Sequence, residues 1–197
     1  ALAPHNLLLL WLIYPVVKAV HELGHAYAVK LRGGEVHEIG IMFLVFIPVP
    51  YVDASAASGF AEKRQRMLVG AIGIMVEMAL GAVALFIWLN AEIGAVHAIA
   101  YNVMLIGGVS TLLFNGNPLL RFDGYYVLAD AIEMPNLGQN ANGYYFYLIR
   151  RYLFGSAEAE SPAHDRGERL WLLGYGAASF IYRFYIIVVI LLYVGTK

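Results

Sequence analysis

The chain has 197 residues, 60% of them hydrophobic and 14% charged, with a formal net charge of -1. Soluble domains carry about a quarter charged residues, so this composition predicts an integral membrane protein; with no basic tract, nothing points to a nucleic-acid partner. Cysteine is absent, which excludes disulfides and thiolate metal sites.

In chain order, the first predicted span covers about 7–29, long enough to cross a bilayer. Pro15 lies inside it, where a membrane helix tolerates a kink, and Lys30, Arg32 and Gly33-Gly34 end it. Leu7 to Leu12 has the look of a signal-peptide core. No basic region precedes it and an ionisable motif follows in the same helix, so it reads as a retained span. The chain starts and stops abruptly beside spans, as a piece of a longer protein would.

Near the end of that span stands His21-Glu22-Leu23-Gly24-His25. Two histidines four residues apart share one face of a helix, one turn from each other, and can bind one zinc ion. Glu22 beside them is placed to take a proton from water at that site. A chance polar run on a soluble helix would not sit in almost wholly apolar sequence, where ionisable groups are costly without a role.

Residues 39–50 are apolar and rich in β-branched and aromatic side chains, yet too short to span as a helix. Pro48 and Pro50 close the run. It reads either as a re-entrant hairpin or interfacial strand pair, whose edge could pair with an extended substrate, or as a hydrophobic loop packed on the helices. Asp53, next to it, is suited to turning the chain.

A second span is predicted at about 67–89, with Gly70, Gly73 and Gly81 allowing close helix approach and Glu77 in its interior. A third runs over about 96–118, continuing broken to 132 because Asn115-Gly116-Asn117-Pro118 interrupts the helix. The connection from 135 to 165 is polar and Tyr-rich, with 144–154 as an amphipathic interfacial helix carrying Arg150 and Arg151. A final span covers about 170–194. The fold class is therefore an all-α integral membrane protein of about four transmembrane helices, a single membrane-embedded domain over 1–197, with a re-entrant hairpin-like segment after the first helix.

These spans leave ten of the 13 basic residues on one side, Lys197 on the other, and Lys18 and Arg183 inside helices. The positive-inside rule then turns both termini outward and the basic loops toward the cytoplasm. At about 1.5 Å per residue, His21 lies about 13 Å in from Lys30 and Glu77 about 15 Å in from Met67. Glu77 is most cheaply explained by pairing with Lys18 or Arg183.

Two histidines do not complete a zinc site, which takes three protein ligands plus water when catalytic. His5 and His97 fall at the outer ends of spans, and His37 and His164 in cytoplasmic loops. Asp123 follows the helix break on the cytoplasmic side, and Gly124 beside it permits close approach. Residue chemistry alone leaves Asp123 open between a ligand and a surface partner of Arg121.

The HExxH motif followed by Asn115-x-x-Pro118-x-x-x-x-Asp123-Gly124 resembles the paired signature of the site-2 protease family of intramembrane zinc metalloproteases. The stretch from Asn115 to Leu128, with Met134-Pro135-Asn136-Leu137 after it, resembles a bacterial branch described as peptide zinc metalloproteases. Pro48 to Asp53 and Gly70 to Glu77 share that likeness. The resemblance implies a three-helix core from the first three spans, with His21, His25 and Asp123 as zinc ligands. It further implies Glu22 as catalytic base, Asn115 as an aid to positioning substrate or intermediate, and a bacterial inner-membrane location; the basic-loop asymmetry and the depth of His21 put the active site toward the cytoplasm. The implied function is hydrolysis of peptide bonds in or near the bilayer, with a membrane protein or peptide as substrate. Two other classes compete: a catalytically idle membrane scaffold or accessory subunit of a larger membrane complex that keeps the protease fold, and an ion pathway using Glu77, Lys18 and Arg183.

Overall fold

The computed structural model describes residues 4–44, 47–156 and 160–196, with the side chains of 4–7 and 44 outside the described set. The chain divides into two compact units, Ala1–Ala131 and Ile132–Lys197.

The first unit begins with helix α1, Pro4–Leu31, which runs through Pro15 without interruption. Its end is set by the two glycines: Gly33 adopts φ 76°, its N–H donates to Lys30 O, and Gly34 N–H donates to Val29 O at 3.0 Å. This is the pair of backward bonds that closes a helix on a left-handed residue.

Strands β1 (Ile39–Leu44) and β2 (Ile47–Val52) pair antiparallel, Ile39 opposite Val52 and Leu44 opposite Ile47. The segment left open between hairpin and loop is thus a strand pair; residues 45–46, between the two strands, lie outside the described residues. Asp53 N donates to Glu38 O, which makes that pair the hydrogen-bonded one and turns the N–H and C=O groups of 48, 50 and 52 outward. Two of those three outward positions are proline and offer no donor. Such residues silence a sheet edge, whereas the outward positions of β1 (Ile39, Ile41, Phe43) keep theirs. As expected, Asp53 turns the chain: its Oδ1 accepts from Ser55 N at 3.0 Å and opens a 3₁₀ turn over Ser55–Gly59. The turn packs with Phe60 on a small core of Ala28, Val29 and Val69.

Helix α2, Lys63–Asn90, is the central element, in contact with α1, α3 and α4. Helix α3 is α-helical over Ala95–Met104 and π-helical over Leu105–Asn115. It crosses α2 closely: a Cβ on Gly81 would lie 3.0 Å from the Gly107 backbone, the approach expected of small residues between membrane helices. A loop over 116–122 leads to α4, Asp123–Ala131. Arg66 near the start of α2 ties down the end of α4 through Asp130, at 2.8 Å.

In the second unit, α5 covers Leu137–Leu148 with a π-helical extension over Ile149–Leu153, on which Arg150 and Arg151 sit, and α6 covers Arg166–Gly195. Asp165 caps α6, its Oδ1 accepting from Glu168 N at 2.7 Å, while Glu168 Oε2 accepts from His164 N. Tyr145 on α5 donates to Leu173 O at 2.8 Å.

Among the described residues, α2, α3 and α6 are long and apolar enough to cross a membrane. Only 6% of the most apolar stretch of α6 is buried within the protein. A helix of that hydropathy with so little internal cover fits a lipid surround. The observed ends lie close to the predicted 67–89, 96–118 and 170–194. The third stops at Asn115, where the chain leaves the π-helix for the loop.

Candidate metal centre

The HExxH motif lies on α1, and both histidines are buried, His21 at 3% and His25 at 8% exposure. Their Nε2 atoms are 3.1 Å apart. Asp123, the first residue of α4, brings Oδ2 to 3.0 Å from His21 Nε2 and 3.5 Å from His25 Nε2. The three form a group able to hold a metal ion. Ligands at 2.0–2.1 Å in a tetrahedral site stand about 3.3 Å from one another, so the observed spacings match that cage.

Three further observations fit a cation here. Asp123 Oδ2 is buried without an aligned hydrogen-bond partner, an expensive state for a carboxylate. His25 Nδ1 lies 2.7 Å from Val69 O. A carbonyl only accepts, so that nitrogen carries the proton and Nε2 keeps its lone pair for a ligand. Finally, a Cβ on Gly73 of α2 would fall 2.5 Å from both Nε2 atoms. Glycine at 73 leaves open the space that any larger residue would fill.

The chain reaches this arrangement through close backbone packing. A Cβ on Gly124 would collide with Gly116 O, so the start of α4 lies against the end of α3, and this seats Asp123 over α1. Asp123 is thereby placed with the histidines, as the resemblance implied.

Glu22 sits beside His21 and accepts at Oε2 from Val52 N at 3.2 Å, which joins the candidate base to the last outward N–H of β2. Asn115 is placed differently from the three candidate ligand atoms. Its Nδ2 donates to Glu77 Oε2 at 3.1 Å.

Glu77 is 0% exposed. Lys18 Nζ donates to its Oε1 at 2.6 Å, the Thr111 hydroxyl donates to Oε2, and His21 Nδ1 stands 3.1 Å from Oε1. The expected pairing with Lys18 is therefore present. Sequence reasoning missed Thr111 and the Val69 carbonyl, and read Gly73 as permitting close helix approach without placing it against the two histidines. Thr111 had a usable signal, because a hydroxyl four residues before Asn115 in an apolar helix needs a partner. The other histidines are elsewhere: His37 is exposed beside Glu35, His97 packs on Trp88 and His164 is exposed, while the His5 side chain lies outside the described residues.

Comparison of the chain with family models, curated proteins and solved structures gives no match.

Proposed function

We propose that this chain is an intramembrane zinc metalloprotease of the site-2 protease kind. The observation that carries the reading is the convergence of His21 Nε2, His25 Nε2 and Asp123 Oδ2 within 3.0–3.5 Å, one residue from Glu22. In this reading α1 is a fourth span, the first three spans form the core, the basic loops and the site face the cytoplasm, and the location is a bacterial inner membrane.

His21, His25 and Asp123 would hold the zinc. When bound, zinc would polarise the scissile carbonyl and bring the pKa of water in the site toward 7. Glu22 takes the proton from that water and delivers it to the leaving amine. A transmembrane helix hides its carbonyls in its own hydrogen bonds, so the substrate must be unwound locally before attack. The hairpin is the element suited to holding an extended segment, and its edges differ. Along β2 only carbonyls and the Val52 N–H face outward, whereas β1 offers a regular edge.

The test is Glu22→Gln in the purified protein, assayed on peptides that model single membrane spans. The variant should retain zinc and lose about 10²- to 10⁴-fold in turnover, the usual worth of a positioned base. Turnover at the wild-type rate overturns the assignment. A wild type with no turnover, in which His21→Ala also leaves every assembly intact, supports the scaffold instead.

A further inference from the structure

Glu77 has no part in the hydrolytic mechanism, yet four side chains converge on it. A carboxylate offers about four acceptor positions. Lys18 Nζ at 2.6 Å and His21 Nδ1 at 3.1 Å share Oε1; the Thr111 hydroxyl and Asn115 Nδ2 at 3.1 Å share Oε2. Charge balance alone would need Lys18 and nothing else. The remaining partners all lead to the metal centre: His21 is a ligand, while Thr111 and Asn115 lie at the end of α3, just before the loop that delivers Asp123.

We propose that Glu77 is the positioning residue of the metal centre, orienting His21 through Nδ1 and anchoring the end of α3 through Thr111 and Asn115. This rests on the metal-site reading above. An imidazole that ligates through Nε2 carries its proton on Nδ1, and a fixed acceptor there sets both tautomer and ring plane. The two histidines are served unequally. His25 has a backbone carbonyl, Val69 O, as its acceptor at 2.7 Å, which no side-chain substitution removes. His21 Nδ1 is buried without an aligned hydrogen bond, and Glu77 Oε1 is the carboxylate oxygen within reach of it. Lys18 supplies the countercharge that lets this carboxylate stay ionised between apolar helices. Asn115 thus acts on the centre through Glu77, and Glu77 joins the two ligand-bearing segments, α1 and the approach to α4.

The experiment compares metal binding in the whole chain for wild type, the double variant Lys18→Met with Glu77→Leu, and Lys18→Met with Glu77→Gln. Removing both charges together leaves no unpaired ion in the apolar interior. Zinc affinity is read by chelator competition, ligand geometry from the visible spectrum of the cobalt-loaded protein, and folding from the metal-free melting temperature. The leucine variant should stay folded, melting lower because Thr111 and Asn115 lose their acceptor, and bind zinc about 10- to 100-fold more weakly, with an altered cobalt spectrum. The glutamine variant, which restores an acceptor, should recover most of the affinity. Wild-type affinity and spectrum in a folded leucine variant overturn the proposal. Should that variant not fold, nitrogen-15 spectra of histidine-labelled, zinc-loaded wild type decide: Nε2 ligation with a protonated Nδ1 at His21 is expected, and ligation through Nδ1 overturns it. A wild type that binds no metal overturns the metal-site reading and this inference together, so the two failures are distinguishable.

Discussion

Gly73→Ala is the most direct probe of the space between α1 and α2. The added Cβ would lie 2.5 Å from His21 Nε2 and from His25 Nε2, where ordinary contact begins near 3.4 Å. About 0.9 Å must therefore be found, either by parting the helices or by turning the imidazoles. Overpacking of this kind costs about 1–3 kcal/mol. Borne wholly by the ligand atoms, that strain corresponds to about a 5- to 150-fold loss of metal affinity, at 1.4 kcal/mol per tenfold. The control is Gly70→Ala, one turn earlier on the same helix, whose Cβ would lie 3.1 Å from the Val127 Cγ2 methyl. That side chain can yield. Zinc affinity of the purified proteins is measured by chelator competition, with a melt of each in parallel. Gly73→Ala should lose affinity and Gly70→Ala keep it. Equal affinities in Gly73→Ala and wild type refute the argument that glycine here keeps a metal cradle open.

Zinc content should fall from about one per chain in wild type to well below that in Asp123→Ala, because two imidazoles alone make a weak site; elemental analysis reads it directly. Replacing Pro48 and Pro50 together by valine returns two outward N–H donors to the β2 edge. The variant should associate more strongly than wild type in detergent, as seen by light scattering. Unchanged association would show that proline is not what keeps this edge unpaired.

Local signals carried the reading as far as single elements. His21, His25 and Glu22 were legible because an i, i+4 pair on a helix has only one geometry, and Gly33-Gly34 marked the end of α1 for an equally local reason. Strands at 39–52 were ambiguous because both faces are largely apolar, so the alternation that distinguishes a half-buried strand is weak. Asp123 was undecided from residue chemistry, since its partner choice depends on how closely α4 approaches α3 and α1. That Gly73 faces the two histidines, and that Val69 O meets His25, were invisible for the same reason. Each matters through what α2 places opposite α1, and no periodicity within α2 records that. Glu77 was noticed for its cost in an apolar helix, but its links to Thr111 and Asn115 depend on the turns of the π-helical end of α3.

The placement of the ionisable groups bears on the competing ion-pathway reading. Lys18 contacts Glu77, Glu77 lies beside His21, and His21 meets both His25 and Asp123, so the five form one connected cluster. Along α1 the cluster extends from Lys18 to His25, about 10 Å at 1.5 Å per residue. With α1 read as the proposed fourth span, that covers about a third of a bilayer core of about 30 Å. A proton or ion relay would distribute such groups along the membrane normal, whereas Lys18 and Glu77 here join the three candidate ligands in one cluster of the first unit; Arg183, on α6, belongs to the second. Within the cluster Lys18 cancels Glu77. With neutral imidazoles, the charge of Asp123 then faces two nitrogen lone pairs at 3.0–3.5 Å. Lone pairs and a carboxylate that close repel in an apolar interior unless a positive charge lies among them. A divalent cation supplies that charge when bound, and a proton on an imidazole nitrogen facing Asp123 supplies it when the site is metal-free, so metal and proton compete for the same three atoms.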